Sequence, residues 1–325
     1  MSDIEKLIPG AKQLVHVNGR VQPGERVLVV TDPTMERYAT PVAEVARAAG
    51  AEVTVSVMPV NRADGNEPPA PVAAAMAEAD VIFTPVAISI THTRAMRTAL
   101  DNGARACLMT AYTDDVMTSP ALLETDFAAQ VPVCQKIGDA FTGGSTVHLT
   151  SPNGTDLKFS IEGRTANVLT NIPDPGFLAP IPDIEVNVVP VTGSAEGVFI
   201  SDASVPYLGI GILDEPVTCR VEGGMIVEMT GGAQADQLRT HLESFNEPLC
   251  FNVAELGVGL NPNARLTGEM LEDEGVVGTI HIGVGTSHTL GGDVMAPTHY
   301  DLLVWEPTIE VDGRGIQRNK GIFGG

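Results

Sequence analysis

From Glu25 to about Ser119, short apolar runs alternate with stretches of helical periodicity. Val27–Val30 is followed by Pro41–Ala49, whose apolar positions recur at helical spacing until Gly50 stops them. Val53–Val57 precedes an Ala-rich helix near Pro71–Glu78, and Val81–Phe83 precedes a helix over about Thr93–Asn102 that Gly103 ends. Ala106–Met109 reads as a further strand. Strands separated by helices of this length pair in parallel, because a parallel crossover needs a dozen or more residues. Residues 1–140 are therefore predicted to form a doubly wound, Rossmann-like α/β domain.

Past residue 140 the pattern changes to paired short strands. Thr146–Thr150 and Leu157–Ile161 flank Pro152-Asn153-Gly154-Thr155, a strong hairpin signal. Thr218–Val221 and Met225–Met229 straddle Glu222-Gly223-Gly224, while Leu302–Trp305 and Thr308–Val311 lead into Asp312-Gly313. One clear helix interrupts them, around Ala235–Phe245. Residues 141–325 are thus predicted as a mainly antiparallel β domain, joined to the first near 135–145. The Pro-rich stretch Ile172–Pro182 reads as an extended surface connection.

The length of 325 residues agrees with about two domains. No uncharged apolar run reaches the roughly 18 residues of a membrane span. The opening MSDIEKLIPG lacks the basic stretch and apolar core of a signal peptide, so a cytoplasmic location is expected. With 19 Lys+Arg against 41 Asp+Glu the formal net charge is -22, a field that repels phosphate backbones and anionic lipid. Neither nucleic acid nor membrane is an expected partner. The four cysteines, Cys107, Cys134, Cys219 and Cys250, lie in apolar surroundings without C-x-x-C spacing and read as reduced core residues. After the first strand, Thr31-Asp32-Pro33-Thr34 offers neither G-x-G-x-x-G nor a Walker-type loop, so the usual nucleotide cradle is missing.

Three of the seven histidines, His281, His288 and His299, fall within Gly278–Asp301. On a strand His299 and Asp301 point to one face, so both can reach one metal ion. Imidazole with carboxylate suits zinc, iron(II), manganese or cobalt. Gly283, Gly285, Gly291 and Gly292 suit tight turns that bring backbone near a ligand. Glu255 sits inside the apolar run Ala254–Leu260, where a charged side chain is rarely unpaired. Glu185 in Pro182–Val188 is a similar case, although strand alternation alone would place it on a solvent face.

The ordered set Ile181-Pro182-x-x-Glu185-Val186, Asn252–Pro262, Asp273–Gly285, then Gly291-Gly292 and His299-Tyr300-Asp301, resembles the M29 aminopeptidase family. It also resembles the related 2,5-dihydroxypyridine 5,6-dioxygenases, through Ser194–Gly197, Phe245–Pro248 and Gly257–Leu260 as well. The aminopeptidase resemblance implies five metal ligands, Glu185, Glu255, His281, His299 and Asp301, able to hold one or two divalent ions, zinc being favoured. Where those peptidases carry a tyrosine seven residues after the first metal histidine, this chain has His288. The dioxygenase resemblance implies a single iron(II) on Glu255, His299 and Asp301, with His281 nearby; the family has histidine where this chain has Glu255.

In the first domain, Ser89-Ile90-Thr91-His92-Thr93-Arg94 follows a parallel strand, where α/β domains place functional loops. By resemblance to the dioxygenases His92 is an acid/base candidate, with Arg94 a carboxylate clamp; the plain alternative is a histidine that starts a helix or is merely solvated. These features predict a metal-dependent hydrolase that cleaves an amide-type C–N bond in a small molecule or short peptide by a metal-activated water. Glu255 or Glu185 would bridge metals or take the water proton, and His288 would stabilise the oxyanion or protonate the leaving nitrogen. The alternatives are an iron(II) ring-cleaving dioxygenase of a hydroxylated N-heterocycle and a binding module with a structural metal. A homodimer is expected from the aminopeptidase resemblance.

Overall fold

A computed structural model of the chain describes residues 4–318 and 321–322. The chain forms two compact units: residues up to 128 together with 169–183, and 129–168 together with 184 onward. Both architectures read from the sequence are present, a parallel sheet with helices and then antiparallel β structure.

The first unit holds a five-stranded parallel sheet in the order Glu52–Val57, Arg26–Thr31, Val81–Thr84, Arg105–Leu108, Leu178–Pro180. Helices Glu36–Ala48, Ala70–Ala77 and Arg94–Asp101 connect the first four strands. The first helix starts a turn earlier than the sequence suggested and carries Pro41 inside it. Leu28, Val30, Ile82, Ala106 and Leu108 of the sheet pack with Met76, Met96 and Ala99 of the helices. The fifth strand corrects the end of the Pro-rich stretch: Asp174, Pro175 and Phe177 are exposed as a surface connection would be, but the chain then enters the sheet. Leu178–Pro180 pairs with Ala106–Leu108, and Ala179 and Ile181 are buried. An edge position has room for Pro180, which has no N–H to give to a ladder.

Strand order reverses between Arg26–Thr31 and Val81–Thr84, the place where such sheets open a crevice for ligands. Buried Asp32 fills the loop end of that crevice. Its Oδ1 accepts from the Thr34 N–H at 2.9 Å and its Oδ2 from the Ala87 N–H at 2.7 Å, tying the two loops together. A carboxylate here repels phosphate, in keeping with the missing glycine-rich cradle.

In the second unit an eight-stranded antiparallel sheet contains both predicted hairpins, Thr146–Thr150 with Asp156–Ser160 and Val217–Glu222 with Met225–Thr230. Thr308–Val311 turns through Asp312-Gly313 into Arg314–Arg318 in the same sheet. The sheet that matters for chemistry is a second one, ordered His299–Trp305, Thr279–Gly285, Val253–Gly259, Glu185–Val188, Asn167–Leu169. The expected helix is present as Ala233–Ser244, and a 17-residue helix, Phe127–Gly143, spans much of the stretch where the sequence placed the join. All four cysteines are buried and unpaired with one another. Among the described residues no helix is long and apolar enough to cross a membrane.

Replacing Asp32 by Ala removes a charged acceptor from two backbone amides, and such bonds contribute about 1.5–3 kcal/mol each at most. A loss of about 2 kcal/mol in unfolding free energy is expected for Asp32→Ala, measured by urea titration; an unchanged midpoint would contradict the tie between the loops.

Candidate metal centre

The register of the second sheet places each expected ligand opposite a glycine. Glu185 faces Gly259, Glu255 faces Gly283, and His281 faces Gly257. On the far side Asp301 faces Gly283 and His299 faces Gly285. Directly paired residues project to the same face, so acids and imidazoles alternate there with positions that have no side chain. The empty positions are occupied by the ligands themselves: a Cβ on Gly257 would run into the His281 ring, and one on Gly283 would meet Glu255 Cβ at 2.7 Å and His299 Cε1 at 2.8 Å. Gly283 and Gly285, expected as turn residues, are therefore strand residues that make room for ligands.

Two groups result, Glu185–Glu255–His281 and Glu255–His299–Asp301, each with its donor atoms within 4.8 Å of one another. Glu255 belongs to both. Its Oε2 lies 2.9 Å from His299 Nε2 and its Oε1 3.8 Å from His281 Nε2, so its two oxygens serve different histidines. His281 Nε2 is also 3.1 Å from Glu185 Oε2, and His299 Nε2 is 3.4 Å from Asp301 Oδ1. Glu185, which alternation alone would have put in solvent, is 5 % exposed; Glu255, His281 and Asp301 are buried as deeply. His299 retains 23 % side-chain exposure, and the site opens on its side.

Surrounding groups fix the orientation of His299, Glu185 and Asp301. The carbonyl of Thr286 lies 2.7 Å from His299 Nδ1, so this nitrogen carries the proton and Nε2 presents its lone pair in the neutral ring. Asn187 Nδ2 donates to Glu185 Oε1 at 2.7 Å, and Asn167 Nδ2 donates to Asn187 Oδ1 and to the Leu290 carbonyl. Tyr207 reaches Asp301 and Glu274. The sequence reading missed Asn167, Asn187, Tyr207 and Glu274. Asn187 had a legible signal, since it stands two residues beyond Glu185 and shares its face.

Electrostatics follow from burial against mutual attraction. Burial pulls the His281 pKa down, but the carboxylates of Glu185, Glu255 and Asp301 outweigh it and hold the imidazolium form well above the usual histidine range. His299 behaves alike, with Asp301 and then Glu255 outweighing burial. Burial raises Glu185 despite the opposing pull of His281. For Glu255 and Asp301 burial is overcome by the two histidines, above all His299 at Asp301, and both carboxyls stay below their ordinary values.

The residues fit a divalent cation. Glu185 Oε2 and Asp301 Oδ1 are buried without a hydrogen bond, their ring-nitrogen neighbours at 3.1 and 3.4 Å being ion-pair contacts. Buried carboxylate oxygens rarely stay unsatisfied unless they pair with a charge or a metal. The mixed oxygen and imidazole set matches first-row divalent ions.

Three other expected residues belong to neither ligand group. His288 is exposed and begins the short 3-10 helix His288–Leu290. His92 and Arg94 belong to the first unit; His92 is exposed, and Thr93 caps the helix that follows by accepting from the Met96 N–H. Arg94 donates from its backbone N–H to Glu67 Oε1 at 2.6 Å, with its guanidinium largely in solvent.

A family model described as NicX, 2,5-dihydroxypyridine 5,6-dioxygenase, matches residues 11–323. The chain belongs to the 2,5-dihydroxypyridine 5,6-dioxygenase family. A curated 2,5-dihydroxypyridine 5,6-dioxygenase from Pseudomonas putida KT2440 is 27 % identical over 137 residues, and the aligned part is 39 % of each chain, about two fifths of that relative's length. The solved structure of 2,5-dihydroxypyridine dioxygenase from Pseudomonas putida KT2440 matches with a TM-score of 0.86 at 19 % identity, covering 99 % of this chain and 98 % of that one. Wild-type AmpT from Thermus thermophilus matches with a TM-score of 0.68 at 17 % identity, covering 98 % and 99 %. Both resemblances seen in the sequence are thus matched in fold. Membership in the dioxygenase family adds support at the level of sequence that the hydrolytic expectation does not have.

Two outcomes are expected of this centre. Gly257→Ala should push the His281 ring out of place and lower bound divalent metal while the fold persists, as read by metal analysis beside circular dichroism; full occupancy would contradict the glycine argument. Because a cation that ligates Nε2 must displace protons from His281 and His299, metal affinity should rise with pH and binding should release protons. Calorimetry in buffers of different ionisation heat measures that release, and a pH-independent affinity would contradict it.

Proposed function

We propose that the chain is an iron(II)-dependent dioxygenase that opens the ring of a hydroxylated N-heterocycle, with Glu255, His299 and Asp301 holding the metal. The observation that carries this reading is the family match, which runs through every one of the clustered ligands. When bound, iron(II) supplies the one-electron chemistry by which dioxygen reacts with a closed-shell aromatic ring. The protein's part is to hold and orient. The Thr286 carbonyl keeps the His299 ring in the tautomer that presents Nε2, and the exposure of His299 marks the side from which a planar substrate enters. Glu185 and His281 lie beside the triad as a buried ion pair. A carboxylate at position 255, where the resembling dioxygenases have histidine, makes the donor set more anionic and favours the higher oxidation state of a bound metal.

The sharing of Glu255 between two clusters favours a second reading, a two-metal hydrolase of an amide-type C–N bond in a small molecule or short peptide. When bound, zinc in such a site lowers the pKa of its water to about 7 and polarises the carbonyl. Glu255 would then join the two halves and Glu185 would complete the second.

Elemental analysis of anaerobically purified protein, for wild type and Glu185→Ala, separates the two when combined with oxygen uptake on 2,5-dihydroxypyridine. The dioxygenase reading expects one iron per chain in both proteins and substrate-dependent oxygen uptake. Two zinc per chain falling to one in the variant, with no oxygen uptake, would overturn it in favour of the hydrolase.

A further inference from the structure

Three consecutive acids, Glu272, Asp273 and Glu274, are buried just before the strand that carries His281, and each has a different partner. Glu272 meets Arg265 at 3.4 Å, and Asp273 accepts from Ser204 Oγ at 2.7 Å and from the Thr267 and Gly268 N–H groups. Glu274 meets Tyr207, whose oxygen lies 2.8 Å from Glu274 Oε1 and 2.8 Å from Asp301 Oδ2. Segment 204–207 is therefore fastened to the acidic turn at both ends, and the Tyr207 ring packs against Tyr300 with centroids 5.1 Å apart.

A phenol has one proton and two lone pairs, so Tyr207 donates to one carboxyl and accepts from the other. Asp301 stands beside His299 in an ion-pair contact, which makes it the acceptor. Glu274 touches no cationic side chain in these contacts, and burial pushes its acid form well above the usual range, so it donates to Tyr207. The order of the relay is Glu274 to Tyr207 to Asp301. Its end is asymmetric: Oδ2 of Asp301 is taken up by the phenol, whereas Oδ1 is buried, has no hydrogen bond and is the atom within the Glu255–His299–Asp301 group.

We propose that Tyr207, itself held by Glu274, is a positioning residue that occupies Asp301 Oδ2 and thereby makes Asp301 a single-oxygen ligand through Oδ1. This rests on the reading that the group holds a divalent ion. A single-oxygen Asp301 leaves a coordination position free for substrate or a second reactant, which a two-oxygen carboxylate would fill. Hydrogen-bond partners of ligands matter on this scale: their loss generally weakens metal binding about 10–100-fold.

The test uses Co(II) bound to the full-length wild type, Tyr207→Phe and Glu274→Gln. Affinity is measured by chelator competition, and coordination by the visible ligand-field bands, whose intensity falls as coordination number rises. Tyr207→Phe should bind Co(II) about 10–100-fold more weakly and show weaker bands as Asp301 turns both oxygens to the metal. Glu274→Gln, whose amide can still donate to Tyr207, should stay within a few-fold of wild type with unchanged bands. Wild-type affinity and bands in Tyr207→Phe would overturn the proposal alone. Should Tyr207→Phe not fold, Glu274→Ala, which removes the second partner of Tyr207, takes its place, and wild-type affinity and bands in that variant would overturn the proposal. A wild type that binds no stoichiometric Co(II) would overturn the metal reading and the proposal with it.

Discussion

Everything around the centre answers to one constraint: three carboxylates, Glu185, Glu255 and Asp301, are withdrawn from water on one face of a β-sheet. Burying such charges is costly unless each is paired, hydrogen-bonded or bound to a metal. The two imidazoles are too few to satisfy all six carboxylate oxygens, and two of those oxygens are left without a hydrogen bond. A divalent cation resolves both the charge and the orphaned acceptors. The same face could not be built from ordinary strand residues, because side chains of that size need neighbouring positions to be empty. Gly257, Gly259, Gly283 and Gly285 supply those positions, and the stability that strand glycines forfeit is offset by the pairing they permit.

From this follows the division of labour in the sheet. The strands fix which residues face one another, and neighbouring strand and loop groups fix how Glu185, His299 and Asp301 point. Thr286 sets the tautomer of His299, the Asn167–Asn187 pair holds one oxygen of Glu185, and Tyr207 holds one oxygen of Asp301. Glu185, His299 and Asp301 thus each have one atom engaged by a neighbouring group and one turned into the cluster. Such an arrangement keeps donors in place before a cation arrives, so binding costs little reorganisation.

Much of this was legible in the sequence. Alternation placed His299 and Asp301 on one face, and the apolar run around Glu255 marked it as a buried charge. Glu185 was harder, since its strand also alternates and only pairing with Val253–Gly259 shows which side is covered. The glycines were visible as a cluster, but their purpose depends on register between strands, which no local pattern encodes. Tyr207 and Glu274 were not legible, because they come from segments without periodicity that meet only in the folded unit. The end of the Pro-rich stretch departed from the reading for a related reason: a three-residue edge strand is made by the partner it joins, and its own proline argues against it.

Family membership and geometry together point to a metal-dependent enzyme, with the chemistry decided by what the cluster binds. Anomalous X-ray diffraction at the iron edge, on crystals of anaerobically iron-loaded protein, tests this most directly. The account predicts a peak bounded by Glu255, His299 and Asp301, with Asp301 contributing Oδ1. Iron bound elsewhere, or those three side chains paired among themselves with no metal peak between them, would contradict it.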